Sequence, residues 1–241
     1  MKTITRFFVM LCLFIRVTAQ SYSTQVGVMS EYLGSVGATF YDGPILVSQF
    51  DVGYKSWYFG ILVNTGLSGT PYGKTYGDDW NGYFGWVHEF GPIKADISAS
   101  YYGIAELGTM KDDIWVAEVE LSAPKCPFVQ PYIRGRYFGE VGPDSPESGP
   151  FMYAGVRKSI AFERCTLNLQ LSTAYAGGAF GGATGFVYGR LTTSLDIPLS
   201  KRFTLTPSVI YQIATPDSDR DPKGFAHGSK FVFGGKIKME F

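Results

Sequence analysis

The side chains in this sequence best placed to do chemistry are charges that recur at alternate positions. Arg134 and Arg136 share a parity, and Arg157, Arg190, Lys236 and Lys238 stand in stretches of the same kind. Asp51, Asp96, Glu118 and Glu120 supply the opposite sign. In an extended chain successive side chains point to opposite faces, so each of these charges lies across its strand from an apolar neighbour. Charges collected on a shared interior face neither make nor break bonds; they set a field that sorts polar and ionic solutes. The arginines and the carboxylates come from different stretches, which predicts two sectors of opposite sign facing each other across a water-filled interior. Lys230, Lys236 and Lys238 add bases and tilt the expected preference toward anions. The opposing reading is cross-strand ion pairing that fills a narrow lumen and conducts nothing.

Other chemistry is thinner. Asp217 to Asp221 (DSDRD) spaces carboxylates at i, i+2 and i+4, which suits calcium, but Pro222 stands where an EF-hand loop needs glycine for its sharp turn. A solvated acidic loop is the plainer reading, and no metal ligand set is assigned. A hydrolase would need an activated nucleophile beside a base; His227 with Ser229 is the one candidate, and nothing marks either as activated. His88 falls on an apolar parity and reads as an interfacial residue. Cys126 and Cys165 lie in neighbouring short turns, where an oxidising compartment would permit a disulfide if those turns lean together. No phosphate-binding glycine loop or paired Cys-x-x-Cys motif is present, so neither catalytic residues nor a cofactor are expected. A formal net charge of zero gives no reason to expect nucleic acid.

The elements that must position these charges are strands. The last twelve residues, Lys230 to Phe241 (KFVFGGKIKMEF), place Phe231, Phe233, Ile237, Met239 and Phe241 on one parity. Lys230, Lys236, Lys238 and Glu240 fall on the other, with Val232 as the apolar exception. Similar alternation runs through Leu46 to Lys55, Trp57 to Asn64, Trp80 to Phe90 and Ile93 to Tyr102. It continues around Trp115 to Leu121, Val129 to Tyr137, Met152 to Ile160, Leu167 to Tyr175, Val187 to Ile197 and Phe203 to Ile213. With Gln25 to Leu33 as a first strand the count is twelve, an even number, as expected of a single-chain membrane barrel.

The connections decide between a membrane barrel and a soluble sandwich. Short links (Lys55-Ser56, Gly91-Pro92, Ala123 to Pro127, Ala161 to Cys165, Ser200 to Arg202) alternate with long ones. The long ones run Gly34 to Pro44, Thr65 to Asp79, Gly103 to Asp112, Gly139 to Pro150, Ala176 to Gly185 and Ala214 to Gly228. Short periplasmic turns and longer outer loops are the asymmetry of an outer-membrane barrel. Aromatics at 16%, 30 glycines and only 17% charged residues fit aromatic girdles and glycine-bearing strands better than a soluble domain. No apolar run reaches the length of roughly 20 residues that a spanning helix needs. At the start, Lys2 and Arg6 precede the apolar run Phe7 to Ile15, and Val17 and Ala19 form a small-residue cleavage site. Residues 1–19 therefore read as a signal peptide and 20–241 as a single domain.

Three stretches, Ser30 to Leu67, Asp96 to Gly103 and Phe203 to Gln212, resemble the TorF-type outer-membrane porins in their aromatic and glycine spacing. The resemblance implies a barrel of unassigned substrate with no catalytic residues to carry over. The C-terminal strand ending in Phe241 resembles the signature read by the bacterial barrel-insertion machinery. The expectation is an all-β, transmembrane, antiparallel up-and-down barrel of about twelve strands in the outer membrane of a Gram-negative bacterium. It would sit among outer-membrane lipids and lipopolysaccharide and pass small hydrophilic solutes, not act as an enzyme. A closed barrel whose outer loops bind a partner is the alternative, and an outer-membrane hydrolase the third.

Overall fold

The computed structural model describes residues 21–36, 39–71, 79–103, 113–143, 145, 147–179, 184–215 and 229–241. In chain order the strands are β1 (Ser21–Met29), β2 (Tyr32–Leu33), β3 (Thr39–Asp42), β4 (Ile45–Tyr54), β5 (Trp57–Gly66), β6 (Thr70–Pro71), β7 (Asp79–Phe90) and β8 (Ile93–Gly103). Then come β9 (Ile114–Ser122), β10 (Gln130–Glu140), β11 (Gly149–Ala161), β12 (Thr166–Gly177), β13 (Thr184–Pro198), β14 (Phe203–Ala214) and β15 (Lys230–Glu240). Twelve of these close into one antiparallel barrel, in the order β1-β15-β14-β13-β12-β11-β10-β9-β8-β7-β5-β4, with β4 returning to β1. The other three, β2, β3 and β6, form a separate small sheet.

Alternation dictates which way each strand faces. On β5, Trp57, Phe59, Ile61 and Val63 are exposed while Asn64 is buried; on β15, Phe231, Phe233 and Ile237 are exposed while Val232 is sealed inside. The same holds around the circumference, through Phe84, Ile97, Val119, Ile133, Met152, Leu171, Leu191 and Ile213. A continuous apolar belt of this kind would be penalised in water and is stable against hydrocarbon. Closure pairs every barrel strand on both sides and leaves no open edge within that belt. The seal joins the two ends of the chain: the Phe241 N–H donates to the Tyr22 carbonyl at 3.1 Å, and their rings stack with centroids 5.2 Å apart. The short connections gather at this end of the barrel. Two are two-residue turns, in which Lys55 and Gly91 adopt left-handed backbone with φ of 55° and 63°.

Two features depart from simple alternation. The first strand begins at Ser21 and stops at Met29, short of the expected Leu33. Ser30 ends it by donating its N–H to the Phe233 carbonyl at 2.8 Å and accepting from the Phe233 N–H through its hydroxyl at 3.0 Å. The chain then turns inward, so Tyr32 and Leu33 pair with β3 inside the barrel instead of prolonging its wall. The stretch expected as the outer loop Gly34 to Pro44 thus begins within the lumen. The second departure is at Val187, expected on the outer parity with Leu191. The β12–β13 register shifts between Ala174 and Tyr175, so that these pair with Tyr188 and Phe186. Val187 is the extra residue of a β-bulge and is buried; Phe186 faces outward in its place, edge-on to Tyr175 at 5.5 Å.

Candidate functional site

The inward face of β9, β10 and β11 carries a cluster of charges. Strand register sets Glu120 opposite Arg134 and Glu118 opposite Arg136. Arg134 reaches Glu120 Oε2 through Nε at 2.9 Å and Nη2 at 2.5 Å, and Arg136 donates through Nε to Glu118. Arg157, one strand further on, spans β10 to grip the same Glu120, Nη1 to Oε1 at 2.6 Å and Nη2 to Oε2 at 2.8 Å. Bidentate guanidinium–carboxylate contact is the stronger and more directional kind of ion pair. Tyr132 lies beneath Arg157, with the guanidinium carbon 3.9 Å from its ring centre, and its hydroxyl accepts from Gln170 at 2.8 Å. Three guanidinium groups against two carboxylates leave the cluster one positive charge in excess.

The wall formed by β4, β5, β7 and β8 holds the remaining predicted carboxylates by tyrosines. Tyr58 donates to Asp96 Oδ1 at 2.7 Å, and Tyr83 donates to Asp51. Gln49 also binds Asp51, at 3.0 and 3.1 Å, and the Tyr83 hydroxyl at 2.7 Å. Both tyrosines lie flat because glycine stands opposite each: Tyr83 covers Gly60 and Tyr58 covers Gly85, and a Cβ at either glycine would strike the ring. A cavity of about 400 Å3 opens against this wall, bordered by Asp51, Tyr58, Tyr83, Asp96, Glu118 and Arg136.

A second cavity, of about 480 Å3, lies against β1 and β12 to β15. Asp196 is fixed there by Asn168 Nδ2 and Thr206 Oγ1, each at 2.8 Å. Lys236 lines the same space and forms no ion pair among the described residues. Lys238 pairs with Glu240 at 2.6 Å in an exposed position, and Lys230 with Glu31 at 2.8 Å.

The segment Ser30–Val36 crosses the interior near the long-loop end. Its backbone is held by side chains from the far wall: Tyr188 and Tyr153 donate their hydroxyls to the Ser35 carbonyl at 2.6 and 3.1 Å, and Arg190 Nη2 donates to the Gly34 carbonyl at 3.0 Å. Arg190 is itself braced on Gln212 and stacked on the Tyr188 ring, 4.4 Å from its centre. Val36 inserts among Ile114, Val116, Phe138, Phe151, Val187 and other residues of an apolar core inside the barrel. Tyr32 lies against Asp79, which Asn64 grips at 2.5 Å; burial first, and then Asp79, pushes the Tyr32 phenol well above its ordinary range. A cavity of about 290 Å3 remains between this segment and Ile45, Leu62, Asn64, Asn81 and Tyr102.

The residues expected inside are thus distributed differently from two facing sectors of charge. Arg134, Arg136 and Arg157 are adjacent to Glu118 and Glu120 and largely neutralise them. Asp96 stands opposite Glu120 across β8 and β9, Asp51 lies further round on β4, and Arg190 serves the internal segment. Equal distance from the β9–β10 turn, which pairs Glu120 with Arg134 and Glu118 with Arg136, is the sequence signal that could have revealed the cluster. Inward Tyr132, Tyr153 and Tyr188 were not singled out, and alternation alone gives no sign that they meet an incoming loop. Cys126 and Cys165 are free thiols, so the disulfide that the sequence would permit is not formed. The signal peptide, the DSDRD stretch and His227 lie outside the described residues. Ser229 is described, and its hydroxyl accepts from the Ala214 N–H at 3.4 Å.

No family model and no curated protein matches the sequence. Solved structures do match. A KdgM porin superposes with a TM-score of 0.58 over 91% of this chain and 99% of its own, at 8% identity. A NanC porin gives 0.55 over 90% and 98%, at 11% identity. The COG4313 outer membrane channel from Pseudomonas putida F1 gives 0.58 over 92% and 95%, at 10% identity. The fold is that of an outer-membrane β-barrel. Identities this low speak for architecture alone, and the TorF-type resemblance rests on its three stretches. In such a barrel the polar parity lines the interior, so the clusters above are the lumen wall.

Proposed function

We propose that the protein is a porin-like channel of the bacterial outer membrane that passes small hydrophilic solutes by diffusion. The observation that carries this reading is the run of cavities down the lumen, of which the middle one is walled mainly by polar and charged side chains. The cavity beside the internal segment shares Asn81, Tyr102 and Arg136 with the one below it, and that one shares Gln49 with the cavity at Lys236. Barrels of about eight strands are packed shut and those of roughly 16 to 18 hold a wide channel, so a narrow, side-chain-lined path suits twelve. Lys236 and the third guanidinium of the β9–β11 cluster favour anions, against the charges that Asp51, Asp96 and Asp196 keep while accepting neutral hydrogen bonds. Export by a signal peptide cut near Ala19, insertion through the strand ending in Phe241, and contact of the belt with outer-membrane lipid and lipopolysaccharide complete the proposal.

The alternative of a closed barrel draws on one observation, the apolar core around Val36 that fills the β9 to β13 side of the lumen. Single-channel recording of the folded protein in a planar bilayer under a salt gradient separates the two. Discrete steps with anion preference support the channel, whereas a folded protein that stays silent would move the function to its outer loops.

A further inference from the structure

The interior holds a piece of its own chain, and the manner of its attachment points to a role. We propose that the strap Ser30–Val36 is the size filter of the lumen, fixed by Arg190, Tyr188 and Tyr153. This inference rests on the channel reading above. A backbone segment that leaves its sheet and enters a barrel carries carbonyls needing donors. Here those at Gly34 and Ser35 find three, all side chains, from β11 and β13. These donors stand more than a hundred residues away in sequence, so the contact is a feature of the closed barrel and not of local turn geometry. Lys230 holds the strap's beginning through Glu31, and Val36 anchors its end in the apolar core.

The backbone attachment is to one wall. The Gly34 and Ser35 carbonyls are fastened to β11 and β13 while Tyr32 reaches Asp79 at the start of β7, and a cavity of about 290 Å3 lies beside the strap, lined from β1, β4, β5, β7, β8, β9 and β10. A solute crossing this level must fit between the strap and Ile45, Leu62, Asn64, Asn81 and Tyr102. The position of the strap therefore decides what passes. A hydroxyl or a guanidinium on a neutral carbonyl is a modest bond, so removing the three donors should loosen the strap without disturbing the outer wall.

The test is the triple variant Tyr153→Phe, Tyr188→Phe, Arg190→Met, which keeps the rings and the volume and deletes the donors. A shift in gel mobility between heated and unheated samples verifies that the barrel is folded. Conductance in planar bilayers and entry of uncharged sugars of graded size into liposomes are then compared with the wild type. In parallel, Ser35→Cys is placed in a Cys126→Ser, Cys165→Ser background, with and without the triple change, and its reaction with a bulky thiol reagent is timed. Higher conductance, a cut-off moved to larger sugars and faster labelling are expected. A conducting wild type matched by a folded triple variant with the same conductance, cut-off and labelling would overturn the filter alone. A silent wild type with a conducting variant would keep the strap as the barrier and overturn the open channel. Silence in both would remove the channel reading and the filter with it.

Discussion

Arg157 and Glu120 meet through two parallel contacts, at 2.6 and 2.8 Å, although they stand on β11 and β9 with β10 between them. The same carboxylate also receives Arg134 from β10. One glutamate therefore ties three consecutive strands together at the lumen wall. Glu120→Gln should leave two guanidinium groups short of a charge partner. A stability loss of about 1–3 kcal/mol is expected in urea unfolding, short of the full penalty for a buried pair because the lumen is partly wet. The same variant should move the reversal potential toward stronger anion preference. An unchanged potential would place Glu120 outside the conducting path.

Lys236 provides the converse test. It borders a lumen cavity of about 480 Å3 and has no ion-pair partner among the described residues. Lys236→Glu reverses one charge next to Asp196 and should convert anion preference into cation preference, or abolish it. Reversal potentials in a salt gradient give the answer, and indifference to this change would remove Lys236 from the selectivity determinants.

The outer face can be tested independently of transport. Leu171 stands near the middle of β12 and faces outward. On a soluble protein Leu171→Lys would be close to neutral; against hydrocarbon it should cost about 2–4 kcal/mol. Unfolding of the protein from lipid vesicles measures this. A cost near zero would mean that this part of the belt is not in lipid.

The glycine–tyrosine pairs on β5 and β7 should behave unlike ordinary strand glycines. Gly60→Ala normally favours a strand, but here the added methyl meets the Tyr83 ring. The ring must move off Asp51, and a loss of about 1–3 kcal/mol is expected, as for other overpacked sites. A neutral or stabilising Gly60→Ala would show that Tyr83 does not need to lie across β5.

Both cysteines should be alkylated by a maleimide without prior reduction, and reducing agent should leave gel mobility unchanged. Resistance to alkylation, relieved by reductant, would instead mean that the two turns close on each other.

The barrel was legible because its rule is local. A period of two, broken by alternately short and long links, gave twelve strands and their faces, down to the exceptional inward Val232 on β15. What escaped was non-local or off-period. A single inserted residue, Val187, reverses the parity of everything before it on β13, and nothing in the stretch from Gly185 to Arg190 distinguishes a bulge from plain alternation. Glu31 to Leu33 reads as the end of the first strand and Gly34 to Val36 as the start of an outer loop; their partners Tyr153, Tyr188 and Arg190 become visible only when the sheet is closed. Parity puts Arg134 and Arg136 on one face of their strand and Glu118 and Glu120 on one face of theirs, but the pairing of Arg134 with Glu120 is decided by register across a hairpin, a relation between strands and not within one.

The Arg190–Gly34 bond joins positions 156 residues apart, and Tyr188–Ser35 positions 153 apart. A growing polypeptide therefore exposes the first half of this contact long before the second half exists. The interior cannot be finished in the order in which it is made. Long-range contacts of this kind are slow to form because so much chain must be ordered first. The strap must wait within reach of the bending sheet until β13 swings round, and pairing of β15 with β1 then encloses it. The strap can therefore be fastened only after β11 and β13 have taken their places in the sheet.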